Sequence, residues 1–166
     1  INKNNKIKII AIEPNPKIYK ALRWNLKRHK SKVYNLAVSN KNEIAQLFLS
    51  DEPGSHSLRL HSTRHVDINV VRLDDLQCTQ VDLIKIDVEG AEIKVLQGAS
   101  DLLLRCKPIL IIEVEPTHLL RFNHTAELLW QILKSHNYTY KRIGSENNYI
   151  CVQDEHKDEL RKYDIL

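Results

Sequence analysis

Three apolar runs of strand length each end in acidic residues, and these acids are the residues of the chain best placed for chemistry. They are Glu13, then Asp87 with Glu89, and then Glu113 with Glu115. In an open α/β sheet, ligands lie beyond the carboxyl ends of the strands, where the loops diverge and helix N-termini point into the crevice. A carboxylate is not needed to end a strand, because Gly or Asn would serve. The three positions are therefore candidates for binding or catalysis.

Glu13 is suited to holding a ribose. A carboxylate at the end of a strand can accept two hydrogen bonds from a vicinal diol, which is how α/β folds hold a nucleoside. The structural alternative for Glu13 is a surface acid that offsets the charge of the lysines around it.

Asp87 and Glu89 lie in the sequence Asp-x-Glu-Gly, in which Gly90 is the turn residue. The spacing predicts that both acids lie on the same side of the strand end, an arrangement suited to holding an ammonium group, a metal ion or a reacting hydroxyl. The structural alternative is a pair of turn and capping acids, because Glu89 and Glu92 would favour a helix N-terminus through its dipole. Glu92 itself is expected at the exposed start of that helix.

The elements that must position these acids follow from the apolar period and from Pro and Gly. Strands are predicted over residues 6–12, 33–39, 43–50, 66–73, 81–88 and 109–114, with a closing hairpin over 138–143 and 149–152. Helices are predicted after Asn15, which suits an N-cap with Pro16 in the first turn, and over 91–104 and 125–134. This alternation predicts a single α/β domain over residues 1–166, with a parallel sheet covered on both faces and with 43–50 antiparallel or at an edge.

Composition places the chain among ordinary globular proteins. Its 166 residues suffice for one domain, with 25 Lys and Arg against 21 Asp and Glu and a formal charge of +4. The longest apolar runs have four residues, whereas a membrane span needs about 20, so no membrane partner is expected. The three cysteines, Cys78, Cys106 and Cys151, form no CxxC pair, so we expect reduced thiols and a cytoplasmic protein.

The first 32 residues are strongly basic, with ten Lys or Arg and one acid. Such a segment can indicate nucleic-acid binding. The basic positions nevertheless fall around the outside of the predicted helix, where a solvated face needs them, and Tyr19 and Trp24 alone could stack on bases there. We therefore do not expect a nucleic-acid partner.

Other catalytic arrangements have little support. The spacings of His56, His61 and His65 would place these residues on one face of a helix, where they could bind a metal ion. Pro53 and Gly54 indicate a loop instead, so solvated histidines and no metal are expected. The chain contains no GxSxG elbow and no GxGxxG or GxxxxGK[ST] loop.

Five stretches of the chain follow one another in an order that is typical of one enzyme family. They are AIEPNP at 11–16, LAVS at 36–39, VRLDDL at 71–76, VDLIKIDVEGAEIKVLQGA at 81–99, and PIL at 108–110 with IE at 112–113. Together they resemble the FkbM family of S-adenosylmethionine-dependent methyltransferases. The resemblance spans residues 7 to about 143, and its most specific part is the stretch 82–98.

The resemblance implies a Rossmann-like class I methyltransferase sheet that ends in an antiparallel hairpin, with S-adenosylmethionine as cofactor and a small-molecule acceptor. By similarity, Glu13 would hold the ribose hydroxyls, with Asn15 beside it, and Ala37 and Val38 would lie near the adenine. Asp87 would sit beside the methionine end of the cofactor or the acceptor hydroxyl. The segment 54–57 is a weak candidate for facing the acceptor.

The resemblance favours O-methylation of a hydroxyl on a sugar or a natural-product-like molecule. Removing the hydroxyl proton calls for a general base, and Asp87, Glu89 or Glu113 could serve. Neither the acceptor nor the oligomeric state can be read from these residues.

One departure from the family concerns the start of the chain. Enzymes of this family begin with a strand and a glycine-rich loop, which the chain lacks before Ile7, and position 1 is not Met. We therefore expect an N-terminally incomplete domain whose neighbouring strands have unpaired edges. The alternatives are a degenerate, non-catalytic α/β binding module that uses its basic N-terminal third, and a nucleotide-dependent oxidoreductase in which Glu13 would equally suit a ribose.

Overall fold

A computed structural model of the chain describes residues 7–49 and 64–161. The described residues fall into two compact units, one within Ile1–Val38 and Asn42–Val71 and the other within Ser39–Lys41 and Arg72–Leu166. The single domain expected over residues 1–166 stays a prediction.

The first unit contains one helix and five strands. They are β1 (Lys8–Ile12), α1 (Pro16–Leu26), β2 (Lys30–Tyr34), β3 (Ala37–Val38), β4 (Glu43–Phe48) and β5 (His65–Val71). Strands β1 and β2 form a parallel pair, and β5 lies between β3, which is parallel to it, and β4, which is antiparallel. The position of β4 at an edge confirms the prediction for residues 43–50. A small core around β5 contains Ala37, Leu47, Ile68 and Val70.

The second unit contains the larger sheet. Its elements are a 3-10 helix (Leu73–Leu76), β6 (Leu83–Ile86), α2 (Glu92–Gln97), α3 (Ser100–Cys106), β7 (Ile109–Glu113), α4 (Pro116–Leu120), α5 (Ala126–Ser135), β8 (Thr139–Ile143), β9 (Asn148–Val152) and α6 (Asp154–Arg161). The strand order is β6-β7-β9-β8, in which β6 and β7 are parallel and the predicted closing hairpin of β8 and β9 is antiparallel. Completely buried side chains from the strands and helices form its core, among them Ile93, Leu96, Leu110, Ile112, Leu119, Leu129 and Leu133.

Unpaired edges were expected beside a missing strand. Among the described residues, β1 pairs only with β2, and β6 pairs only with β7. The missing strand itself stays a prediction.

The prediction of one helix over 91–104 is wrong, because the chain forms α2 and α3 with a break at Gly98. A Cβ at Gly98 would lie 2.0 Å from the Ser39 carbonyl oxygen, so the backbone of residues 39–40 approaches the helix closely here. The N-terminus of α3 is capped by a residue that is distant in the sequence. The Asp74 carboxylate accepts the Leu102 N–H at 2.9 Å and the Asp101 N–H at 3.3 Å. The apolar stripe continues across both helices, so sequence periodicity does not reveal the break.

The strand predicted over 33–39 is also two strands, β2 and β3. Between them the Asn35 side chain donates to the carbonyl oxygens of Glu13 and Pro14, both at 2.9 Å.

The sequence analysis did not predict helices α4 and α6. Pro116, which follows the strand predicted over 109–114, opens α4, and the Glu115 side chain caps that helix by accepting the Thr117 N–H at 3.4 Å.

Each unit carries one tryptophan. Trp24 on α1 is 66% exposed, with the Lys27 Nζ 3.0 Å from the centre of its ring. Trp130 on α5 stacks on Tyr140 at 3.9 Å between ring centres and lies 4.8 Å from Tyr149.

Cys78, Cys106 and Cys151 are all free thiols. In the described ranges, none of the helices is both long and apolar enough to cross a bilayer.

Candidate active site

Glu13 lies in the turn that joins β1 to α1, as the sequence predicts. Its Oε1 accepts the Asn15 N–H at 2.7 Å, and its own N–H donates to the Tyr34 carbonyl at 3.1 Å. The Asn35 side-chain amide stabilises the same turn by donating hydrogen bonds to the carbonyl oxygens of Glu13 and Pro14.

Asn15 is buried and is the N-cap of α1. Its Oδ1 accepts the N–H groups of Lys17 at 2.9 Å and Ile18 at 3.5 Å, with Pro16 in the first turn. This capping role was predicted, whereas the role in cofactor binding stays a prediction. The same holds for the other two candidates in this unit, buried Ala37 and half-buried Val38, which form β3 opposite Val70 and Val71.

The second unit brings Asp87 and Glu113 together. Strands β6 and β7 are parallel, with Ile86 opposite Ile112, so the residues that follow lie at one edge of the sheet. The two carboxyl groups are hydrogen-bonded to each other. Lys85 donates to the Asp87 Oδ2 at 2.6 Å, and both of these side chains are about half exposed.

The two carboxyl groups shift each other's pKa values. The hydrogen bond with Asp87, together with burial and the Asp87 charge, raises the pKa of Glu113 to about 7. Burial opposes ionisation of Asp87, but the hydrogen bonds with Lys85 and Glu113 outweigh it and lower the Asp87 pKa. Two interacting carboxyl groups whose pKa values separate in this way can exchange a proton with a ligand near neutral pH.

The turn after β6 has an unusual backbone. Glu89 has φ +51° and Gly90 has φ +111°. A Cβ at position 90 would lie 2.2 Å from the His118 carbonyl oxygen and 2.9 Å from the Phe122 Cδ2. This close approach of residues 118–122 requires glycine at position 90. Burial raises the pKa of Glu89, which lies close enough to Arg121 and Asp87 to interact with their charges.

The prediction that Glu92 is exposed is wrong. Its side chain is only 3% exposed, and its Oε1 accepts the Gly90 N–H at 2.9 Å. Its Oε2 is buried with no hydrogen-bond partner, and burial raises the Glu92 pKa. At the start of α2, the Glu92 side chain turns back toward Gly90 instead of into solvent. The helix dipole favours an acid at this position but does not determine which way its side chain points.

Sequence reasoning missed Lys85 and His118. Lys85 lies two residues before Asp87, and the period of two in a strand was the signal that could have found it. His118 lies on α4, a helix that was not predicted. Burial and the Arg121 charge lower the His118 pKa, while the charges of Glu115 and Asp87 oppose this.

Glu115, the remaining acid of the three predicted strand ends, has a structural role. Its Oε2 accepts a hydrogen bond from Asn147 at 2.8 Å, and its Oε1 accepts the Thr117 hydroxyl at 3.0 Å. These bonds lower the Glu115 pKa.

Other predicted features lie elsewhere. His56, His61 and the segment 54–57 are outside the described residues. In the part of the chain that the structure describes, no three His, Cys, Asp or Glu side chains could hold a metal ion together. The basic segment has a concave surface on α1 and β2, lined by Tyr19, Lys20, Arg23, Trp24, Lys27, His29, Ser31 and Val33.

A known protein family matches most of the chain. The family described as "Methyltransferase FkbM domain" matches residues 1–140 of the chain. The chain belongs to this FkbM methyltransferase family. The resemblance inferred from the DVEGAE turn and its neighbours is thereby confirmed. No curated protein matches this FkbM chain.

A solved structure shows the same fold. The FkbM chain is similar to the crystal structure of methyltransferase FkbM from Methylobacillus flagellatus KT, with a TM-score of 0.59 at 20% sequence identity. The similarity covers 87% of this chain and 36% of that protein, so the chain spans little more than a third of its relative's length. The predicted α/β fold is confirmed as a mixed α/β fold.

Proposed function

We propose that this FkbM domain catalyses S-adenosylmethionine-dependent O-methylation of a hydroxyl on a sugar or natural-product-like small molecule. The observation that carries the proposal is the hydrogen-bonded Asp87–Glu113 pair at the carboxyl ends of β6 and β7. Family membership supplies the reaction class, and the pair supplies a group able to take a proton near neutral pH. We place these residues in a Rossmann-like class I sheet, and the free thiols support a cytoplasmic protein.

The chemistry of the residues fits the cofactor. S-adenosylmethionine presents an ammonium group and a ribose diol, both of which hydrogen-bond to carboxylates. The half-exposed Asp87 suits the ammonium group, and Glu13 suits the diol. We assign Asn15, Ala37 and Val38 to the same role on the resemblance to the family.

The chain itself has two tasks in this reaction. When bound, S-adenosylmethionine supplies a methyl group on a sulfonium for in-line displacement by the acceptor oxygen. Positioning the acceptor can contribute about 7 to 11 kcal/mol to lowering the barrier. The Asp87–Glu113 pair takes the hydroxyl proton, and general-base catalysis of this kind contributes about 10²- to 10⁴-fold. Lys85 stabilises the charge on Asp87, and Glu89 is a further candidate base at the same turn.

The decisive test is Asp87→Asn, which keeps the shape of the side chain and removes its charge. We expect the release of S-adenosylhomocysteine with a panel of sugars and polyols to fall by about 10²-fold or more, while folding changes little. Asp82→Asn is the matched control, because Asp82 is an exposed acid before the other end of β6. Its activity should remain close to that of the wild type.

Two outcomes would contradict the assignment. If Asp87→Asn melts well below the wild type but keeps its turnover, Asp87 is a structural residue. If the protein as encoded binds no S-adenosylmethionine by calorimetry, the binding module becomes the better interpretation. The basic concave surface on α1 would then be the part to test.

A further inference from the structure

Of the charged residues that the structure describes, Glu92 is the one that is buried as a whole. Burying a carboxylate is energetically unfavourable unless hydrogen bonds compensate. Compensation is partial: Oε1 accepts the Gly90 N–H at 2.9 Å and the backbone at Glu92 and Val88 also favours the charged form, whereas Oε2 has no hydrogen-bond partner. An apolar side chain of similar size would fill this position at lower cost, so packing alone does not explain the residue.

The bond from Glu92 reaches the part of the turn with the strained backbone. Glu89 and Gly90 both have positive φ, and the Gly90 N–H points to α2 rather than continuing a strand ladder. The Phe122 side chain and the His118 carbonyl from α4 also lie close to Gly90. Glu92 and α4 therefore hold the turn through Gly90, three residues after Asp87.

We infer that Glu92 is a positioning residue: by accepting the Gly90 N–H, it holds the turn after β6 in the conformation that places Asp87 against Glu113. The inference deepens the proposed function, on which it rests, because it concerns the same carboxyl pair. Glu92 acts through the backbone and takes no part in proton transfer. The charges that act on Glu113 come from Asp87, Lys85 and Glu146, and Glu92 is not among the main ones.

The test reads the carboxyl pair directly, with neither cofactor nor acceptor present. The Glu113 pKa is measured by NMR of ¹³C-labelled carboxyl groups, with Glu113→Gln to assign the signal. Glu92→Gln keeps an oxygen that can accept the Gly90 N–H and removes the charge. Glu92→Asp keeps the charge and withdraws the acceptor by one methylene. Ile93→Val, at a completely buried neighbour in the same helix, is the control for general loosening of the structure.

We expect Glu92→Gln to leave the Glu113 pKa at about 7 and Glu92→Asp to lower it toward the ordinary value of 4.5. The positioning role is overturned if Glu92→Asp leaves this pKa at about 7, if Glu92→Gln lowers it and Glu92→Asp does not, or if Ile93→Val lowers it equally. Because methyl transfer is not the readout, failure here would leave the proposed function standing.

Amide exchange at Gly90 gives a second readout that needs no variant to fold. In the wild type, the Gly90 amide should exchange as slowly as amides inside α2, since its N–H is buried in a hydrogen bond. Free exchange at Gly90 in the wild type would overturn the inference. In Glu92→Asp, we expect exchange at Gly90 to rise about tenfold, the effect of losing one hydrogen bond.

Discussion

The turn after β1 and the turn after β6 both carry an acid from a parallel strand toward a helix, but they are held in different ways. The turn that carries Glu13 is held by hydrogen bonds between near neighbours, by the Asn15 cap and by Pro16 in the first turn of α1. The Asn35 side chain adds a hydrogen bond to the Glu13 carbonyl oxygen. The turn after β6 instead uses two positive φ angles, a buried carboxylate and a carbonyl from a later helix.

The difference has an energetic consequence. A turn held by capping and by proline keeps its shape through bonds worth about 1 kcal/mol each. A non-glycine residue with positive φ, such as Glu89, costs about 1 to 3 kcal/mol and persists only where its surroundings hold it. We therefore expect the turn after β6 to be the more sensitive of the two to substitution.

Gly90→Ala should have the largest effect on stability. The new Cβ would lie 2.2 Å from the His118 carbonyl oxygen at φ +111°, so we expect a loss of about 3 kcal/mol or more in denaturant unfolding. Gly144→Ala is the control, because its φ is +67° but no atom lies within 4 Å of the new Cβ. It should cost about 1 kcal/mol. Equal costs would show that strain alone, without the contact from α4, sets the sensitivity.

Glu13→Ala tests whether the turn after β1 holds a ligand as well as a helix. In the protein as encoded, we expect S-adenosylmethionine affinity by calorimetry to fall by about 1 to 3 kcal/mol, the loss of a charged acceptor. Asn35→Ala loosens the same turn without touching the carboxylate and should weaken binding less. If Asn35→Ala has the larger effect, the shape of the turn matters more than the Glu13 charge.

Asn15→Ala measures how much the local cap contributes. Removal of the Oδ1 acceptor for Lys17 and Ile18 should cost about 1 kcal/mol in thermal or chemical unfolding. Asn25→Ala, at an exposed position in the same helix, should be neutral or slightly stabilising, since Ala favours helix. Similar results for the two variants would mean that α1 does not depend on its cap.

The smallest expected effect is the dependence of stability on pH. In the folded chain the pKa of Glu113 is about 7 against an ordinary 4.5, so the folded state binds this proton more tightly than the unfolded state does. The resulting stabilisation is complete below about pH 4.5 and is lost as the pH rises through about 7. Because the side chain is partly exposed, we expect less than about 1 kcal/mol. The difference between wild type and Glu113→Gln in unfolding free energy should shrink as the pH rises through this window, and a growing difference would contradict the raised pKa of Glu113.

The same contrast explains how far the sequence could predict the molecule. The Asn15 cap, the Pro16 position, the edge strand β4 and the closing hairpin depend on neighbouring residues or on period, and all were predicted correctly. The break at Gly98 depends on the approach of Ser39, and the cap of α3 comes from Asp74. Contacts between residues so distant in the chain leave no local signal.

For the candidate site, the sequence likewise predicted the positions of acidic residues but not the contacts between distant residues. Acids at the strand ends indicated Asp87 and Glu113 as candidates, because parallel strands end at one edge. The raised pKa of Glu113 could not be predicted, since it depends on the register that places the two carboxyl groups within hydrogen-bonding distance. The burial of Glu92 followed neither from its type nor from its place at a helix start, both of which favour exposure.

The placement of the two tryptophans gives each unit its own optical reporter. Trp24 is largely open to solvent beneath the Lys27 ammonium group, whereas Trp130 is stacked against two tyrosines, so their fluorescence should differ in wavelength and in quenching. Replacing one tryptophan at a time with phenylalanine would separate the two signals. The melting of the half that carries Glu13 could then be followed independently of the half that carries Asp87, in a single cuvette and without any label.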